Sequence, residues 1–174
     1  MARQRGQNRI LKPDFFKSDA LDIAPKLIGK YLVREYEGKL FRSVITEVEA
    51  YCGENDLACH ASKGRTPRTE VMYNEGGHIY IYLIYGMYYM LNIVTGVKDS
   101  PQAILIRGTE SIKGPGRLTK QLFIDKLLNN KLLLPQNGLW IEESDIRLTY
   151  KTTPRIGVAY AKEWALKPWR YVAD

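Results

Sequence analysis

At 174 residues the chain has room for one compact domain with its own core, and two would be cramped. Apolar residues make up 45% and charged residues 26%, a globular balance that excludes a disordered chain. A net charge of +7 and twelve tyrosines among nineteen aromatic residues depart from the average and favour an anionic partner, nucleic acid or acidic lipid.

Residues 1–12, MARQRGQNRILK, read as a basic, mobile arm without an apolar h-region, and residues 13–174 as a single domain. With only Cys52 and Cys59 in the chain, the expectation is two reduced thiols in an intracellular protein. SDALDIAPKLIGK offers Ser18 or Asp19 as an N-cap ahead of Leu21, Ile23, Leu27 and Ile28. Pro25 starts or kinks that helix and Gly29 closes it. YLVREYEGKLFRSVITEVEAY reads as two strands around the tight turn Glu37-Gly38. Residues 52–77, rich in glycine, proline and charge, form a long ordered loop of the kind that carries function.

HIYIYLIYGMYYMLNIV is a second hairpin with Gly86 near its turn. Its uncharged run, residues 79–94, is shorter than the ~20 residues a spanning helix needs, so no membrane segment is expected. AILIRGTE is a further strand, and GPGRLTKQLFID sets glycine and proline ahead of a helix bearing Leu118, Leu122 and Leu127. LLLPQNGLWIEE supplies another strand, and TPRIGVAYAKEWALKPWRYVAD reads as a short strand, a helix from Ala159 to Ala165 and a proline-led tail. The sum is an α/β chain of the α+β type, whose hairpins make its sheet mainly antiparallel.

Alternation in VITEVEAY puts Glu47, Glu49 and Tyr51 on one face and Val44, Val48 and Ala50 on the other. A carboxylate on such a face activates a water when a cation keeps it ionised, and Arg107 is the candidate cation. The plain alternative is a solvated face whose glutamates pair with lysines. Cys52, Cys59 and His60 have none of the spacings of a structural zinc site, so no metal is expected. Tyr80 and Tyr82 share a strand face, and Tyr85 stands at the finger tip, the form of a wedge for a duplex groove or of a sheet packed under a helix. Lys63, Arg65 and Arg68 lie before the finger and Arg117 and Lys120 after GPG, where a glycine-led helix start presents free N–H groups to phosphate.

EAYCGENDLACHASKGRTPRTEVMY, YIYLIYGMYYMLNIV, ILIRGTE, GPGRLTKQL and TPRIGVAYAKEWALKPWRY resemble, in that order, the alkyladenine (3-methyladenine) DNA glycosylase family, from Phe15 to Tyr171. The resemblance implies a single compact domain with a mainly antiparallel curved sheet, surrounding helices and a protruding, DNA-inserting hairpin, with no metal and no cofactor. It implies hydrolysis of the N-glycosidic bond of alkylated or deaminated purines in double-stranded DNA, by a monomer, in the bacterial cytoplasm or nucleoid or a eukaryotic nucleus. Glu49 matches the general base and Arg107 the residue that helps hold the water. Tyr51, His60 and Tyr82 match the pocket around the flipped base, Asn92 its floor, and Tyr85 the intercalating side chain. Arg65, Arg68, Arg117 and Lys120 fall on the DNA-backbone side. Thr69 stands where the family pattern carries asparagine. A non-catalytic binder of distorted or AT-rich DNA is the competing reading, and an RNA-binding module is disfavoured by the missing RNP pattern.

Overall fold

A computed structural model of the chain describes residues 9–174. The basic stretch of the expected arm up to residue 8 lies outside the described residues. Its end is tied down: Ile10 bridges Glu142, and the Leu11 N–H donates to Ile141 O at 2.8 Å.

A 3₁₀ turn, Pro13–Lys17, leads to α1, Ala20–Leu27. Ala20, Ile23, Ala24 and Leu27 face the core at helical spacing, and Pro25 sits inside the helix. Asp19 holds the N-cap position but makes no capping bond. Gln102, remote in sequence, does the work instead: its Oε1 accepts from the Ala20 N–H at 2.7 Å, and its Nε2 donates to Asp19 at 3.0 Å.

β1 (Tyr31–Tyr36) and β2 (Lys39–Tyr51) form the first hairpin, with Tyr36 opposite Lys39. Glu37 and Gly38 both have positive φ (47° and 75°), the backbone that a two-residue turn between twisted strands requires. β3 (Ile79–Ile84) and β4 (Tyr88–Thr95) form the second hairpin, and β5 (Gln102–Thr109) pairs with β4. β6 (Leu139–Glu142) pairs with β1. β7 (Tyr150–Thr153) pairs with β8 (Arg170–Ala173), which in turn pairs with β2. All pairs are antiparallel and the main path runs β3-β4-β5-β2-β1-β6, a curled sheet whose long strand β2 serves both halves. Phe16, α1 and the inward residues of β2, β4 and β5 form the main core.

Three sequence expectations are corrected. The helix after GPG, α2 (Pro115–Gln121), is seven residues long and ends before Leu122, while Leu127 sits in a separate 3₁₀ turn, Lys126–Leu128, and is exposed. Residues 154–158 are not a strand: the strand is β7 upstream, and the proline-led tail contains β8. The stretch Ala159–Leu166 is two 3₁₀ turns broken at Ala161 and Lys162, and Lys162 has φ 56° and ψ −132°. Local period does not reveal these edges, because β7 and β8 become strands only by pairing with each other and with β2. Among the described residues no helix is long and apolar enough to cross a membrane.

Candidate active site

β2 is irregular where the carboxylates lie. Its pairing with β5 shifts between Ile45 and Val48, where Glu47 stands opposite Gly108. Ile45 and Val48, an odd number of residues apart, both reach the main core, which a regular strand does not allow. The irregularity re-aims the rest of the strand, so Glu49 and Tyr51 face away from that core toward a cleft.

Glu49 is fully buried. Its Oε1 accepts from the Tyr51 hydroxyl at 2.8 Å and lies 3.6 Å from Arg107 Nη1, and its Oε2 accepts from the Ile156 N–H at 2.7 Å. Arg107 Nε donates to Glu47 Oε1 at 3.0 Å, and Arg170 Nε donates to the same oxygen at 2.7 Å. The expectation of a solvated face paired with lysines therefore fails: both glutamates are paired with arginines, Glu49 fully buried and Glu47 partly so. Burial pushes the Glu49 carboxyl above its ordinary range; the Arg107 charge, the Ile156 N–H and the Tyr51 hydroxyl oppose that and favour the ionised form. Burial and the Glu49 charge hold the Tyr51 hydroxyl well above its ordinary pKa, so Tyr51 remains a donor.

Tyr51, Arg107 and Ile156 all line a cleft of about 760 Å³. Glu49 does not line it and lies one layer behind these three residues. The cleft is of the size and apolar character of small-molecule sites. His60, Tyr82 and Asn92, expected in the pocket, line it as well, as do Tyr85, Arg68 and Arg117. His60 opens the 3₁₀ turn His60–Lys63; its Nδ1 is 2.8 Å from the Tyr80 hydroxyl, and its ring centroid is 4.4 Å from that of Tyr82. Burial, aided by the Arg68 and Lys63 charges, depresses the His60 pKa to about 4, so the ring is neutral at physiological pH. The Asn92 amide donates to Tyr80 O and Met90 O at 3.3 and 3.4 Å, which fixes the group and leaves its oxygen unused by these bonds.

Tyr85 sits at the tip of the β3–β4 finger with φ 54° and is 83% exposed. Gly116 of the GPG stretch lets the finger pack against α2 at Tyr88, just after its turn, because a Cβ there would come within 2.9 Å of the Tyr88 ring. α2 is too short to present an anion site at its start, so Arg117 and its neighbour Lys113 provide positive charge at the cleft through their side chains. Lys120 is exposed on α2 away from the cleft lining. Arg65 is outside it too: its guanidinium is engaged by both oxygens of Glu70 at 2.8 Å and by Asp99 at 3.1 Å. Thr69 closes its own loop, accepting from the Thr66 N–H at 2.8 Å and donating to Gly64 O at 2.9 Å.

Sequence reasoning left four participants out of the site. Tyr80 was placed on one face with Tyr82 but not in the cleft that it lines. Lys113 precedes GPG and was passed over for Arg117. The Ile156 N–H is a backbone group and leaves no side-chain signal. The fourth is a buried bidentate pair: Arg155 donates to Asp56 at 2.6 and 2.9 Å, to Ala50 O at 2.9 Å and to Trp164 O at 3.1 Å. Arg155 lies over the Tyr51 ring at 4.8 Å and directly precedes Ile156, so it holds in place both donors to Glu49. Among the described residues no group of three His, Cys, Asp or Glu side chains is placed to hold a metal ion. Cys52 and Cys59 are free, and burial pushes their thiols up to about 12 and about 11.

The profile of the family described as Methylpurine-DNA glycosylase (MPG) matches residues 14–113 and 108–174. A Legionella pneumophila (strain Paris) protein named "Putative 3-methyladenine DNA glycosylase" is 47% identical over 95% of each chain. Proteins of the same name from Methanocella arvoryzae and Psychrobacter cryohalolentis are 41% and 40% identical, over 93% and 91% of this chain and 91% and 90% of their own. A match spanning both the finger and the Glu49 strand at this identity leaves one assignment: the chain belongs to the methylpurine-DNA glycosylase family.

Proposed function

We propose that the protein is a monofunctional DNA glycosylase that extrudes damaged purines of the 3-methyladenine, 7-methylguanine, hypoxanthine and ethenoadenine class from duplex DNA and hydrolyses their N-glycosidic bond. One observation carries this reading: a buried carboxylate, held by Arg107, the Tyr51 hydroxyl and the Ile156 N–H, lies one layer behind an aromatic cleft of purine-accommodating size. A non-catalytic DNA binder has no use for such an arrangement.

A purine inside the stack is unreachable, so the nucleotide rotates out, at a cost of a few kcal/mol that is smaller for a damaged pair. Tyr85 is the wedge that fills the vacated space from the minor-groove side. The base stacks among Tyr51, His60 and Tyr82, with Asn92 beneath it. As the C1′–N bond breaks, the base departs with the bonding electrons and the sugar acquires oxocarbenium character. Glu49 stabilises that charge from behind the cleft wall and takes the water's proton through the Tyr51 hydroxyl, which lines the cleft and donates to its Oε1, as the water oxygen bonds C1′; Arg107 helps hold the water. Cationic bases leave unaided. No lysine takes the place of the water, so the product is an abasic site without strand cleavage. Arg117 and Lys113 meet backbone phosphates, and the protein works as a monomer on nucleoid DNA.

The test is excision from duplexes carrying one defined lesion, followed by alkaline cleavage of abasic sites. Wild-type protein releases the base, and Glu49→Gln binds the lesion duplex but fails to release it. Strong residual excision by Glu49→Gln moves the catalytic role elsewhere.

A further inference from the structure

Arg65 and Arg68 are three residues apart in one loop, yet their charges have different fates. Arg65 is compensated by Glu70 and Asp99 outside the cleft. Arg68 lines the cleft, its guanidinium carbon 5.3 Å from the Tyr82 ring centroid, and among the described residues no carboxylate lies in ion-pair range of it. Three pocket groups feel this charge: it helps to depress His60 and acts to lower the hydroxyls of Tyr80 and Tyr82, whose net shift is upward through burial. The neutral His60 ring, 4.4 Å from Tyr82, adds no second cation there.

We propose that Arg68 is a specificity-determining residue of the base cleft, whose uncompensated guanidinium at the Tyr82 ring disfavours cationic purines relative to neutral ones that carry carbonyl or ring-nitrogen acceptors. The inference rests on the glycosylase reading and departs from the expected role of Arg68 as a backbone contact. The guanidinium carbon is 5.3 Å from the Tyr82 ring centroid, so a base stacked on that ring is within about 10 Å of the Arg68 charge, no more than a Debye length. Positively charged bases are attracted by tyrosine faces, but the Tyr82 ring already has a cation over it. Like charges at such a separation repel, and the partial exposure of Arg68 screens the repulsion, leaving a discrimination on the order of tenfold. A neutral base such as hypoxanthine escapes the repulsion and turns acceptors toward the guanidinium.

The experiment measures single-turnover excision from two duplexes identical except for the lesion, 7-methylguanine (cationic) or hypoxanthine (neutral), at one pH and salt concentration. For Arg68→Gln the ratio of the 7-methylguanine rate to the hypoxanthine rate rises about tenfold over wild type, by the repulsion argued above; for Arg68→Lys it stays near the wild-type ratio. Arg65→Gln leaves the ratio alone whatever it does to the absolute rates. If Arg68→Gln lowers both rates in proportion, Arg68 serves the backbone and the inference is overturned. Failure of the wild type to release either base overturns instead the glycosylase reading beneath it. Arg68 is exposed, so thermal unfolding checks that the variant is folded.

Discussion

A carboxylate with no exposed surface stays ionised only if its partners replace the water it has lost. Glu49 has a charged neighbour in Arg107 and neutral donors in Tyr51 and Ile156, and burial still leaves its pKa raised. In the proposed role of general base Glu49 must be ionised, so activity is expected above that raised pKa and is expected to fall as pH drops through it. The acid limb of the single-turnover pH profile is therefore expected above the ordinary carboxylate range. Tyr51→Phe removes a donor to the charged form and moves the limb to higher pH; a limb that stays in place denies Tyr51 this role. The His60 pKa is shifted the other way, downward. Its unfolded ring binds a proton near pH 6.5, whereas the folded ring does not until about pH 4. Its contribution to stability is thus complete above pH 6.5 and is lost as pH falls toward 4, amounting to roughly 3 kcal/mol. Urea denaturation between these pH values should show a smaller acid loss for His60→Asn than for wild type. Glu49, Tyr51 and His60 were legible in the chain because strand alternation and motif order mark side chains. The Ile156 N–H was not, since every residue but proline carries one.

The finger and the loops around it are elements whose shape comes from a few special backbone positions. Tyr85 is almost wholly exposed, so Tyr85→Ala should leave thermal stability within about 0.5 kcal/mol. The same variant should bind and excise lesions more weakly through poorer extrusion. Unchanged affinity and rate in a duplex-binding assay would show that the finger is not the wedge. Gly76 is the opposite case. A Cβ there would lie 1.9 Å from Phe16 O, itself the acceptor of the Gly96 N–H, so Gly76→Ala forces backbone apart. The expected loss is about 1–3 kcal/mol or more by chemical denaturation, with no direct effect on base selection. Both hairpins were readable from alternation and turn residues. The end of α2 and strands β7 and β8 were not, because hydrophobic spacing alone does not tell where pairing with a distant strand begins.

At the scale of the whole molecule, charge has two separate roles. Inside, Arg155 and Asp56 join β2, the loop after it and the 154–166 segment through one buried ion pair. Asp56→Ala leaves a buried guanidinium unpaired and should cost about 3–5 kcal/mol, whereas the double change Asp56→Leu/Arg155→Met should cost less; comparing their denaturation midpoints tests the pair. Outside, the net charge of +7 favours DNA through counterion release. Arg117→Gln and Lys113→Gln should each reduce the slope of log affinity against log salt by up to ~0.9 per lost phosphate contact. An unchanged slope removes that residue from the interface.

The amino-acid sequence by itself determined the α+β class, both hairpins, the family and the carboxylate-bearing strand, because alternation, turn chemistry and motif order act over a few residues at a time. Only the tertiary structure decided that Glu49 is sealed behind Tyr51, Arg107 and Ile156, that Arg155 and Asp56 brace them, and that Arg68 faces the cleft while Arg65 is neutralised outside it. Burial and charge compensation depend on partners as distant as Asp99 is from Arg65 or Ile156 from Glu49, and nothing local to those residues announces the meeting.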